Sequence, residues 1–178
     1  MPRTIQLLVI HCTASKNGDS LFRTEAGLPV TPVEIVDRWH RERKFARRGE
    51  DRARMNPDLA AIGYHWLIYT NGARVTGRAA NEVGAHAMRY NAHSLGVCMV
   101  GTDQFTPAQW QALAETVQAL CAQYRIPLEP ADPRDPRGLR GVCGHGELPD
   151  VAKACPGFSV KQWLARGMQP LPKHVIGG

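Results

Sequence analysis

A chain of 178 residues with 43% hydrophobic and 7% aromatic side chains has the size and composition of one soluble domain with an ordinary core. No apolar run nears the roughly 20 residues that span a bilayer. The start, Met1-Pro2-Arg3 and then a strand-like run, is unlike a secretory signal, so cytoplasmic synthesis without membrane insertion is expected. The net charge of +6 favours an anionic partner or surface, and five cysteines without a disulfide spacing pattern read as free thiols and exclude a small stapled scaffold.

Thr4 to His11 alternates and then runs apolar through Leu7, Leu8, Val9 and Ile10, which predicts a buried strand ending on a histidine. Cys12 should then face the opposite side of the sheet. Residues 14–30 are rich in Ser, Gly, Asn and Asp and read as a loop. Thr31-Pro32-Val33-Glu34 is a capping box with proline at the first helical position. It predicts a helix to about Lys44, with Val33, Val36 and Trp39, or Val36 and His40, on one face. Between Arg41 and Arg54, the cations Arg41, Arg43, Lys44, Arg47, Arg48, Arg52 and Arg54 outnumber Glu42, Glu50 and Asp51. They read as a solvated loop or as an attraction to an acidic polymer. Only Phe45 interrupts them, so the stacking platform of a single-strand binder is missing and nucleic acid is not an expected partner. Asn56-Pro57 closes the stretch as a turn.

Tyr64 to Thr70 has high strand propensity and reads as a central strand that Tyr64 begins. Asn71-Gly72 before Ala73 to Gly77 is a hairpin signal. Leu95 to Val100 predicts another buried strand. A second capping box, Thr106-Pro107-Ala108-Gln109, opens a helix over 107–124, with Trp110, Leu113, Val117, Leu120, Cys121 and Tyr124 at helical spacing. Cys98 and Cys121 read as packing residues. Residues 127–138 hold four prolines and read as a connecting loop, Gly141 to Gly144 as a short strand, and Ser159-Val160-Lys161-Gln162 as the cap of a short terminal helix. A single α/β domain over 1–169 is expected, a mixed sheet with helices on its faces, followed by a loosely ordered tail over 170–178.

Three of these positions say more together than any one alone. His11 ends a strand. His145 lies between two glycines that free the backbone and expose the ring. Cys155 precedes Pro156-Gly157 in a turn. Two imidazoles and one thiolate suit zinc, and three protein donors leave a fourth position for water, the pattern of a catalytic ion. Lys153, two residues before the thiol, would bring an ammonium to the oxyanion formed at an attacked carbonyl, and the Tyr64 phenol would hydrogen-bond the same group. A solvated lysine and an ordinary strand aromatic are the plainer readings of these two. Cys143 shares a face with His145 on an extended segment and is a rival sulfur donor. Cys155 as nucleophile with His145 as base is a metal-free alternative.

Six motifs occur in the order of one family. They are Val9-Ile10-His11-Cys12-Thr13-Ala14, Gly63-Tyr64-His65, Gly84-Ala85-His86-Ala87 with Tyr90-Asn91, Ser94-Leu95-Gly96-Val97-Cys98, Phe105-Thr106-Pro107-Ala108-Gln109 and Lys153-Ala154-Cys155-Pro156. Over residues 5 to 166 the chain resembles the zinc-dependent N-acetylmuramoyl-L-alanine amidases of type 2, most of all the amidase-type lysozymes of phages. It is more distantly similar to peptidoglycan recognition proteins. The resemblance implies a mixed sheet of about five strands, and one zinc ion held by His11, His145 and Cys155 rather than Cys143. It implies Tyr64 and Lys153 as catalytic residues, and His86 and Asn91 at the substrate groove. The implied reaction is hydrolysis of the amide between N-acetylmuramic acid and L-alanine in peptidoglycan. The implied setting is host lysis by a phage or prophage endolysin that reaches the wall once the membrane is permeabilised. Residues 15–30 and 43–60 are longer than in the compact phage members. The spacing from His145 to Cys155 is nearer that of cytoplasmic muropeptide-recycling amidases, which carry aspartate at the sulfur position. Recycling, or non-lytic binding of peptidoglycan or of a regulatory protein partner, are the alternative functions, and a monomer is expected.

Overall fold

The computed structural model describes residues 3–136 and 138–177. In chain order its strands are Leu7–Cys12 (β1), Arg23–Glu25 (β2), Leu28–Val30 (β3), Trp66–Ile68 (β4), Arg74–Thr76 (β5), Ser94–Met99 (β6) and Gly141–Gly144 (β7). Its α-helices are Pro32–Glu42 (α1), Gly49–Arg54 (α2), Pro107–Tyr124 (α3) and Val160–Ala165 (α4). One mixed sheet runs in the order β5-β4-β6-β1-β7, with β5 antiparallel to β4 and the other neighbours parallel. Strands buried on both faces read as continuous apolar runs, and β1 and β6 are buried at every position.

The two-residue period of β1 sorts the core. Leu8, Ile10 and Cys12 pack with Leu95, Val97 and Met99 against Trp110, Leu113 and Val117 of α3 and Trp163 of α4. Leu7 and Val9 point the other way, where the packing is split. One cluster joins Val33 and Val36 of α1 to Leu67, Tyr69 and Cys98. Another joins Leu7 and Val9 to Ala87, Cys143 and Leu148. His11 pairs with Cys98 of β6 and lies one period beyond Val9, so the sheet presents it between these two clusters.

The capping boxes of α1 and α3 form as their sequences require. Glu34 accepts from the Thr31 amide, and Thr106 Oγ1 accepts from the Gln109 amide. Helix α3 has the expected bounds, and α1 ends two residues earlier than expected, at Glu42. Four expectations change. Residues 23–30 form a β2–β3 hairpin rather than a loop, turning through Ala26 and Gly27 at φ of 49° and 79°. The basic stretch contains α2, which buries no residue. Tyr64 precedes β4, which lies between β5 and β6 and is not the middle strand. The segment from Leu171, expected to be loosely ordered, lies along Phe105. Leu171 is buried, the Phe105 amide and Trp110 Nε1 donate to the His174 carbonyl, and the Ile176 amide donates to Phe105.

The basic stretch does not form one cationic surface. Arg47 is withdrawn from water, and its guanidinium donates to the Glu82 carboxylate and to the carbonyls of Met55, Asn56 and Leu59. Arg78 reaches the same carboxylate at 3.3 Å. Losing one partner of such a pair costs about 3–5 kcal/mol, so Glu82 ties the long 43–60 segment to the wall beside Tyr64. Arg41, Arg43, Lys44, Arg48 and Arg54 stay exposed.

Two buried histidines frame this region. His40 accepts the Gly63 amide on Nδ1, and His65 accepts the Gly96 amide on Nδ1. Burial is the main cause that lowers His40 to about 4 and His65 to about 3. Both fall below the unfolded value near 6.5, so below that pH the unfolded chain takes up protons that the fold refuses. Their contribution to stability is therefore constant above about pH 6.5, and it declines as pH falls towards 4 and then 3. The urea midpoint of metal-free protein should drop between pH 7 and 4, by on the order of a few kcal/mol once converted. A flat midpoint across that range would contradict burial of these rings in neutral form.

Candidate functional site

Three chain segments meet at the carboxyl ends of β1 and β7. His11 belongs to β1, His145 follows Gly144 at the end of β7, and Cys155 comes from the segment leading into α4. The donor atoms of His11, His145 and Cys155 all lie within 4.8 Å of one another, and the His11 and His145 rings are 4.7 Å apart. A tetrahedral ion with nitrogen at about 2.0 Å and sulfur at about 2.3 Å would separate nitrogen from sulfur by about 3.5 Å and the two nitrogens by about 3.3 Å. His11 Nδ1 and Cys155 Sγ are 3.8 Å apart. The set fits a single metal ion.

The glycines beside His145 matter through close approach rather than exposure. A Cβ at Gly146 would land on the Lys153 carbonyl, and one at Gly144 would come within 2.8 Å of Pro156 Cδ. Without side chains there, the segment carrying Lys153 and Cys155 crosses directly over the His145 turn. The Gly146 amide then donates to the Cys155 carbonyl at 2.7 Å. Glu147, in the same motif, is a residue sequence reasoning left without a role. One of its oxygens accepts the Gly144 amide, and the other accepts the Ser159 hydroxyl and the Lys161 amide. It fastens the His145 turn to the start of α4.

The electrostatics favour donors with free lone pairs. Burial, then the neighbouring Lys153 charge, lowers His145 to about 4, and burial is the largest cause holding His11 well below its ordinary value. Both rings are neutral at pH 7. Without metal, the neighbouring Cys12 thiol and burial push Cys155 above the ordinary thiol range. The Cys12 amide donates to Cys155 Sγ at 3.3 Å, a contact that favours the thiolate once a cation is present. Cys143, the rival sulfur, is buried beside Leu7 and Val9 and is not part of the donor set.

A cleft of about 750 Å³ opens over these donors. Tyr64, His86, Asn91 and Lys153 all line it, together with His40 and Arg43, which sequence reasoning did not connect to the site. The Tyr64 ring lies 5.1 Å from that of His11. Burial raises its phenol well above the ordinary value, so it remains an O–H donor at neutral pH. Lys153 is exposed at the rim. Asn91 Oδ1 accepts the amides of His86 and Ala87, both at 2.9 Å, so its carbonyl shapes the loop that carries His86. His86 Nδ1 lies 3.0 Å from His11 Nε2.

A family model described as N-acetylmuramoyl-L-alanine amidase matches residues 1–158. The endolysin of Enterobacteria phage T3 is 29% identical over 168 residues, covering 90% of this chain and 85% of that protein. The endolysin of Escherichia phage T7 is 29% identical over 164 residues, covering 88% and 83%. Among solved structures, the N-acetylmuramoyl-L-alanine amidase LysC from Clostridium intestinale has a similar fold. Its TM-score is 0.64 at 22% identity, covering 94% of this chain and 87% of that one. Drosophila peptidoglycan recognition protein SA also has a similar fold, with a TM-score of 0.59 at 18% identity, covering 99% and 83%.

Proposed function

We propose that this chain, which belongs to the N-acetylmuramoyl-L-alanine amidase family, is a zinc-dependent endolysin that cuts the amide between N-acetylmuramic acid and L-alanine of peptidoglycan. The observation that carries this reading is the convergence of His11, His145 and Cys155 at the floor of the cleft, three donors with no fourth protein ligand among the described residues. Family membership and the two phage endolysins support the substrate and the lytic setting. Two imidazoles and a thiolate suit zinc, which when bound supplies Lewis acidity and lowers the pKa of water.

The protein's own groups divide the remaining work. His11 and His145 stay neutral because burial disfavours their cations, so their lone pairs face the ion without competition from protons. The Tyr64 phenol, fixed beside His11, donates a hydrogen bond to the oxygen of the scissile carbonyl. Lys153 brings positive charge to the same oxygen as it becomes an oxyanion. The cleft between the 84–91 loop and the 149–155 segment holds the glycan and stem peptide in line with these donors. Six cations in excess over the chain favour approach to an anionic wall. The enzyme, made in the host cytoplasm, acts on the wall after membrane permeabilisation as a monomer.

The test is zinc content and amide cleavage of purified peptidoglycan, before and after chelation, with product masses read from defined muropeptides. One zinc per chain, loss of cleavage on chelation and recovery with added zinc are expected. Full cleavage by metal-free protein would overturn the mechanism.

A further inference from the structure

We propose that His86 is a positioning residue for the metal site, accepting a hydrogen bond from His11 Nε2–H and so holding His11 as the tautomer whose Nδ1 lone pair faces Cys155 and His145. This rests on the metal reading given above. It assigns His86 to the ligand rather than to the substrate.

The two nitrogens of His11 are divided between two neighbours. Nδ1 lies 3.8 Å from Cys155 Sγ, and Nε2 lies 3.0 Å from His86 Nδ1. If Nδ1 is to hold an ion it must be unprotonated, so the proton of a neutral His11 sits on Nε2. Only an acceptor opposite Nε2 satisfies that proton, and His86 Nδ1 is that acceptor. His86 is then neutral with its own proton on Nε2.

That proton has nowhere to go. His86 Nε2 is buried without a hydrogen-bond partner. A buried donor left unpaired gives up its hydration without return, and such an exception calls for a reason. The reason lies on the other side of the ring, where the contact with His11 is the hydrogen bond that the His86 side chain makes. A role in grasping substrate fits poorly, because one nitrogen is committed to His11 and the other is sealed from the cleft.

The seat for this ring is built. Gly96 lies opposite Val9 in the sheet, on the face that presents His11. A Cβ at Gly96 would come within 2.7 Å of His86 Cγ and Cδ2. The missing side chain on β6 is therefore the space the imidazole occupies. The backbone is fixed as well, since Asn91 Oδ1 accepts the amides of both His86 and Ala87. His65, edge-on to His86 at 5.6 Å, closes the back wall with its own nitrogens already engaged by Gly96 and Glu82. Outer partners of this kind fix ring orientation and tautomer, and their loss typically weakens metal binding by about 10–100-fold.

The test compares His86→Leu, which removes the acceptor, with His86→Asn, whose amide oxygen can sit where Nδ1 sits. Zinc dissociation constants are measured by competition with a chromophoric chelator. In parallel, nitrogen-15 imidazole spectra of the zinc-loaded wild type report which His11 nitrogen carries hydrogen. We expect His86→Leu to bind zinc roughly 10–100-fold more weakly, His86→Asn to recover most of that loss, and His11 to show Nε2–H with metal on Nδ1. Equal zinc affinity in His86→Leu, or metal on His11 Nε2, overturns the assignment. If His86→Leu does not fold, the wild-type spectrum still decides. A wild type that binds no zinc would instead sink the metal reading itself, a distinguishable failure.

Discussion

Cys155→Ser should lose stoichiometric zinc and at least about 100-fold in amide cleavage while keeping its fold. A serine hydroxyl is nearly the shape of the thiol, and Cys155 is only partly buried, so packing changes little. The chemistry changes greatly. A thiol can give up its proton to a divalent cation near neutral pH, whereas a hydroxyl holds its proton and offers a weak neutral donor. Losing only an outer partner of a ligand costs about 10–100-fold in affinity or activity, and in the proposed site Cys155 is in the inner set. Metal analysis and cleavage assays on protein checked by circular dichroism read the effect. A variant that cleaves peptidoglycan like the wild type would show that Cys155 takes no part. The same experiment separates two rivals. A non-catalytic wall-binding module would have no cleavage to lose and would bind the wall unchanged. A cysteine hydrolase would also fail as serine, but its wild type would keep working through chelation. The electrostatics disfavour that last option, since the neighbouring Cys12 and burial push the metal-free Cys155 thiol above the ordinary range, and an effective nucleophile needs the thiolate.

Where periodicity and capping dominate, the sequence and the structure agree closely. The apolar run of β1, the Thr106 box and the spacing of Trp110, Leu113, Val117 and Leu120 lead directly to β1 and α3. What escaped has identifiable causes. The β2–β3 turn uses Ala26 at a left-handed φ of 49° where asparagine or glycine is the usual signal. Helix α2 has no buried residue, so no apolar stripe announces it. The burial of Arg47 depends on Glu82, 35 residues away in sequence, and no local pattern links the two. The tail is held by the carbonyl of His174 and by Phe105, contacts of backbone groups that composition does not encode.

The possible metal cluster drew attention because its chemistry is rare, namely two imidazoles and a thiol in a chain without disulfide spacing, although the choice of Cys155 over Cys143 came from the resemblance and not from the spacing. The residues around it were less so. Gly144 and Gly146 announced a special backbone, but their purpose is to let the Lys153–Cys155 segment cross over His145, which only the assembled structure reveals. His86 and Asn91 came from resemblance alone. Their hydrogen bonds point inward, one to His11 and the other to the loop amides, so the pair supports the site from behind. Glu147 carried no signal beyond its neighbours, and its role needs Ser159 and Lys161 brought close by α4.

Lys153→Ala should lower kcat by roughly 100- to 1000-fold, the loss typical of removing one donor to a developing oxyanion, with KM changed far less. Lys153 lines the cleft from the segment that also supplies Cys155, so the proposed ligand and the cation are delivered together by one stretch of chain crossing Gly146. Its field is already felt in the ground state, where it helps lower the proton affinity of His145. That field acts on a neutral amide only weakly and on an oxyanion strongly, so most of its interaction appears in the transition state and in kcat. Zinc content should be unchanged, because Lys153 is exposed at the rim and donates nothing to the ion. Lys153→Arg should restore part of the rate, since it keeps the charge on a differently shaped head. Steady-state kinetics on a defined muropeptide separate the two parameters. Unchanged kcat with a raised KM would make Lys153 a binding residue only, and unchanged values of both would remove it from the reaction, leaving Tyr64 as the protein donor to the carbonyl oxygen.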